Sequence, residues 1–166
     1  MGWHPFLTKE MATPRLGAWR VLIALILAAL LLPALPMAEG EHPTAELSIG
    51  GARLTVEIPA DRNALRRGLM HRKHLPDDRG MLFVWPDAAE RGMWMLNTLI
   101  PLDVAFIDED YVITNIETMR PETTDMHNAE RPVRYALEVN AGWFERHGVD
   151  AGDRIPGLET ILRPEK

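Results

Sequence analysis

The sequence predicts a mainly β domain, a small β-sandwich or partly closed β-barrel with one or two short helices. Three observations predict it. Short apolar or alternating runs, each bounded by Gly, Pro or Asp, recur from residue 45 to residue 155. Helix signals are confined to two brief stretches. Cysteine is absent from all 166 residues, so burial alone must hold the fold, which a chain of this size can manage.

The elements follow in order. Residues 21–32 read VLIALILAALLL behind Lys9, Arg15 and Arg20. The run falls short of the about twenty residues that span a membrane and has the length of a signal-peptide core. Residues 1–38 are therefore expected to be a signal peptide cut after Ala38 or, alternatively, an N-terminal membrane anchor, with Met11 as a second candidate start. Residues 39–44 read as a linker, and residues 45–166 as a single β-rich domain. The domain is expected in the periplasm or secreted, or held to the inner membrane by the N-terminal segment.

Residues 45–49 and 53–58 alternate around Gly50-Gly51, the signal of a tight hairpin. Asp61 is placed to cap a short helix, Arg62–Arg67, which Gly68 would end. Residues 81–85, cut off by Pro86, and residues 93–96 read as strands buried on both faces. Past Pro101, Leu102, Val104 and Phe106 share one strand face, and Asp103, Ala105 and Ile107 the other. Asp108-Glu109-Asp110 turns the chain, and residues 111–118 return as a partner strand. Residues 119–132 hold two prolines and no periodicity, the mark of a functional or disordered loop. Residues 133–139 alternate as a half-exposed strand. Residues 142–147 make a helical turn, and a last short strand falls near Arg154-Ile155.

Composition narrows the chemistry. From Glu39 onward there are 15 Lys and Arg against 23 Asp and Glu, a net charge of −8. Without a basic patch, nucleic acid is a poor partner, and a membrane is met only through an uncleaved N-terminal segment. The chain has no H-E-x-x-H, G-x-S-x-G, Gly-rich phosphate loop or EF-hand spacing. His71 and His74 have metal-compatible spacing, but Arg72 and Lys73 between them oppose a divalent ion. No metal, cofactor or nucleophile is expected. The methionines in apolar strands read as core filler. Trp94 and Trp143 read as buried rather than as a sugar platform.

Three polar residues stand out among apolar ones. Asp103 reads as a ligand-orienting or general-base carboxylate, or as a structural Asp tying the Pro101 turn to a neighbouring loop. Asn97 offers a ligand both a donor and an acceptor, and is equally an ordinary turn residue. Arg67, beside Arg66 and near Arg72, could clamp a carboxylate with its guanidinium fork or simply form a salt bridge.

Four ordered blocks, RRGLMHRKHLPDDRGMLFVW, WMLNTLIPLDVAFID, YALEVNAGW and HGVDAGD, resemble the uncharacterised family catalogued as domain of unknown function 192. The resemblance implies a compact, mainly β domain, often exported or lipid-anchored in bacteria, with no established activity or cofactor. Arg67, Asn97 and Asp103 all fall on its pattern. Leu96 departs from it, since the family more often has lysine there. That departure makes Arg67 the expected partner of Asp103.

The functional expectation is a non-catalytic binding or accessory module. It would hold a small polar or carboxylate ligand, or a partner peptide, in a groove edged by Arg67, Asn97 and Asp103, and an envelope protein is the other candidate partner. The loop at residues 118–132 would act as a lid. One alternative is a small hydrolase or isomerase with Asp103 or Glu138 as general base. Another is a structural envelope protein.

Overall fold

A computed structural model describes residues 42–162. The signal-peptide or anchor reading of residues 1–38, and the start of the linker, lie outside the described residues. The first hairpin forms as its glycines dictate. β1 (Thr44–Ile49) and β2 (Ala52–Glu57) pair antiparallel across Gly50 and Gly51, both at positive φ. Asp61 caps α1 (Arg62–Arg67), its Oδ1 accepting from the backbone N–H groups of Asn63 and Ala64 at 2.8 Å each. Gly68, at φ +48°, ends that helix.

α1 is the crossover that lets β3 (Arg79–Ala89) lie parallel to β2. The remaining elements are β4 (Gly92–Met93), β5 (Leu102–Ile107), β6 (Ile113–Met119), β7 (His127–Asn128), β8 (Val133–Asn140), α2 (Trp143–Arg146) and α3 (Gly157–Leu162). The main sheet has the order β1-β2-β3-β8-β5-β6, and β4 and β7 form a separate two-stranded ribbon. The fold is mainly β, as expected. The sheet stays open and does not close into a barrel.

Strand alternation feeds two cores, one on each face of the sheet. Leu54, Leu82, Ala105, Ile107, Leu137 and Val139 meet Trp143, Phe144 and Leu158 on the first face. Met81, Phe83, Leu102, Val104, Phe106 and Ala136 meet Leu69, Leu75 and Met95 on the second. Each fully buried Val, Leu, Ile, Phe or Met among them contributes about 1.5–3 kcal/mol.

The structure differs from the sequence reading in four places. Pro86 does not end β3, which runs on to Ala89 through a register shift after Val84. In that irregular stretch the missing proline N–H costs no regular ladder bond. Residues 93–96 do not form a buried strand. Only Gly92 and Met93 pair, Trp94 is 46% exposed, and Asn97 turns the chain at φ +57°. β8 is not half-exposed, because it lies between β3 and β5 with a core on each face. The expected last strand shrinks to one bridge, Val112 with Arg154, and a third helix follows it. No helix among the described residues is long and apolar enough to cross a membrane.

Candidate functional site

The burial of both faces of β8, where a half-exposed strand was expected, has its main chemical consequence at Glu138, the alternative general base of the sequence reading. Glu138 lies on the central strand, on the same face as Ala136, opposite Val104 of β5 and Met81 of β3. It is only 4% exposed. Its carboxyl group borders a cavity of about 460 Å³. Three segments complete the walls: the α1 end with the chain after it (Leu65 to Met70), Phe83 and Trp85 of β3, and Gly92 to Trp94 with Thr98.

Glycine keeps this cavity open at one point. A Cβ on Gly68 would come within 3.2 Å of Phe83 Cζ and 4.0 Å of Glu138 Oε2, at a φ of +48° that disfavours side chains. No hydrogen bond or ion pair reaches the Glu138 carboxyl among the described residues. Burial pushes its pKa up to about 8, so it holds its proton at neutral pH. A carboxyl that carries a proton, is shielded from bulk water and opens onto a cavity marks a candidate functional site.

The walls are aromatic and the mouth is basic. Phe83 and Trp85 stack with centroids 6.1 Å apart, and the Arg91 guanidinium lies 5.0 Å from the Trp85 ring centroid. Arg91 Nη2 donates to the Asp87 carbonyl at 3.0 Å and to its carboxylate at 3.2 Å, while Nε is buried without a partner. Arg66 and Arg67 line the cavity from exposed positions, and neither takes part in an ion pair among the described residues.

The expected trio does not gather around one groove. Arg67 lines the cavity. Asn97 is exposed and lines none of it; its carbonyl accepts from His71 N–H at 2.8 Å, so its backbone serves as a turn. Asp103 lies on the opposite face of the sheet, 3% exposed. There Oδ1 accepts from the Thr118 hydroxyl at 2.8 Å and Oδ2 from the Gly142 N–H at 2.7 Å. Asp103 therefore has no contact with Arg67, because successive strand residues point to opposite faces. Arg72 is also committed elsewhere. It grips both Glu57 oxygens at 2.6 Å, and that hydrogen bonding holds the Glu57 carboxyl below its usual pKa.

The long loop is stitched down rather than free. The Glu122 N–H donates to the Thr98 carbonyl at 3.0 Å, and the Met95 N–H to the Thr123 carbonyl at 3.1 Å. Asn115 holds the far end, donating to the Asn128 carbonyl and accepting from the Glu130 N–H. The sequence reading missed Phe83, Trp85 and Trp94 as site walls, and took Trp94 for core. Nothing in the local pattern marks these residues; the close approach at Gly92, where a Cβ would meet Asn128 Oδ1 at 2.5 Å, belongs to the fold and not to the sequence.

Residues 45–157 match the sequence model of domain of unknown function 192, DUF192, described as "Uncharacterized ACR". The chain belongs to this family. Every residue of the cavity falls inside the DUF192 match. The DUF192 domain is similar to a crystal structure from Sinorhizobium meliloti 1021, provisionally called a transcription regulator. Identity is 38% and the TM-score 0.61, covering 67% of this chain and 88% of that one. It is also similar to a protein of unknown function from Novosphingobium aromaticivorans DSM 12444, at 29% identity and TM-score 0.64, covering 74% and 91%. No curated protein matches the DUF192 chain in sequence.

Proposed function

We propose that this DUF192 domain is an exported binding module for a small organic ligand seated in the Glu138 cavity. The observation that carries the reading is the unpartnered, buried carboxyl of Glu138 opening onto a 460 Å³ space with aromatic walls. Such a space suits a small molecule with an apolar body and few polar groups. Arg67, with Arg66, gives the mouth two cations for a carboxylate or similar anion. The ligand's polar end would face Glu138. An open cavity favours binding over a purely structural envelope role.

Regulation of transcription, the provisional description of the S. meliloti relative, would reach this chain through a ligand rather than through direct DNA contact. A net charge of −8 from Glu39 onward opposes phosphate binding.

The full chain, purified natively from the periplasmic fraction and extracted for small molecules, tests the reading. A Trp94→Ala variant should lose the retained compound while its melting temperature moves by no more than about 2 °C, because the side chain is half exposed. Equal retention by both proteins would overturn the site, and absence from the periplasm would overturn the location. A second reading keeps the same cavity and makes Glu138 a general acid or base of a small isomerase or hydrolase. Its raised pKa of about 8 favours that role. Recovery of a converted product, dependent on Glu138, would support it.

A further inference from the structure

We infer that the inner end of the Glu138 cavity takes a protonated amine, so that the ligand is a small aminocarboxylate whose ammonium meets Glu138 and whose anion meets Arg66 and Arg67. The inference rests on the binding reading above and assigns its ligand class. The cavity joins the lone, buried Glu138 carboxyl at its inner end to walls made by Phe83, Trp85 and Trp94. Aromatic faces beside a carboxylate are the chemistry that recognises an organic ammonium ion. The protein already uses one of these rings this way, since Arg91 stacks on Trp85 at 5.0 Å.

The groups facing Glu138 leave this partner role open. β3 and β5 flank it with Met81, Phe83, Leu102 and Val104, none of which titrates. Gly92 to Trp94 and Thr98 add no charge. The charged side chains lining the same space are Arg66 and Arg67, both exposed. Burial is the cause of the raised Glu138 pKa, and no cation offsets it.

A proton balance follows. In the empty cavity at neutral pH, Glu138 carries a proton. When an ammonium group enters, the carboxyl loses that proton to solvent and pairs as the anion. Binding of an amine therefore releases up to one proton. Its affinity rises about tenfold per pH unit below pH 8, levels off above it, and falls once the amine itself deprotonates. A neutral or anionic ligand that accepts a hydrogen bond from the protonated acid would behave in the opposite way, weakening as pH rises through 8.

Calorimetry on the full chain with 4-(aminomethyl)benzoate, benzylamine, benzoate and benzyl alcohol separates the cases. The probes would be used up to about 10 mM, where fragments of this size bind. The amines should bind with proton release, read from two buffers of different ionisation enthalpy, and should lose at least about tenfold in affinity in Glu138→Gln. Arg66→Ala/Arg67→Ala should weaken 4-(aminomethyl)benzoate several-fold and leave benzylamine unchanged. If benzoate or benzyl alcohol binds instead, without proton release and equally well in Glu138→Gln, the amine assignment falls and the binding site stands. If none of the four probes binds or perturbs the indole NMR signals of Trp85 and Trp94, both readings fall.

Discussion

Glu138 shows how position in a sheet, rather than residue type, sets the chemistry of a side chain. The alternation of residues 133–139 was legible in the sequence, and so was the face on which Glu138 would lie. What the pattern could not show is that a second layer covers that face. Arg134 and Glu138 made it read as the wet side, yet Glu138 sits at the centre of the sheet and only Arg134 reaches outward. The cost of that burial gives a prediction. The Glu138 pKa rises from an ordinary 4.5 to about 8 on folding. The folded chain therefore holds more protons than the unfolded chain between those values. The associated stability is fully present below about pH 4.5 and is lost as pH rises through 8. Glu138→Gln cannot ionise, so it should gain on the native chain as pH rises, by up to about 5 kcal/mol above pH 8. Urea melts at about pH 5, 7 and 9 check this, and a gap independent of pH would refute it. Asp103 makes the contrasting case. Its sequence context offered both a ligand role and a structural tie, and in the structure its two oxygens accept from Thr118 and Gly142.

Among the elements, those with local signals were the ones the sequence specified. The hairpin at Gly50-Gly51 and the Asp61-capped helix formed at almost the expected bounds, because their turn and cap residues act within a few positions. Residues 93–96 do not follow their apolar composition into a buried strand, because Trp94 and Met95 part company, one onto the cavity and one into the core. β3 and β8 depend on each other in a way no local pattern reports. At Gly80 of β3, a Cβ would lie 2.7 Å from the Glu138 carbonyl oxygen and 3.1 Å from Val139 Cγ1. Gly80→Ala should therefore push the two strands apart and cost about 1–3 kcal/mol. Thermal melts would show it as a lowered midpoint. An unchanged midpoint would mean that the strands accommodate the methyl group without strain.

For the molecule as a whole, the two cores share the same three strands, so neither can melt alone. β3, β5 and β8 each send side chains into both clusters. Leu137→Ala on one face and Phe83→Ala on the other are each expected to cost about 2–5 kcal/mol. In both variants the domain should unfold in one transition, the same by far-UV circular dichroism and by tryptophan fluorescence. Two separated transitions in either variant would show that the faces are independent. The sequence supported a mainly β domain because strand runs and turn residues are locally written. Strand order was not legible, since nothing in the runs at residues 81–85, 102–107 and 133–139 says which one lies in the middle.

That order, β1-β2-β3-β8-β5-β6, makes the fold depend on its latest strand. Take β8 away and nothing pairs β3 with β5; the sheet separates into a three-stranded piece and a two-stranded one, each with a bare edge. The chain up to residue 132 therefore has no complete core to collapse onto, and its pairing partners lie far apart in sequence, which slows folding. The last strand in the chain is thus the keystone of the sheet: until Val133–Asn140 is in place, the two halves have no common hydrogen-bonded seam.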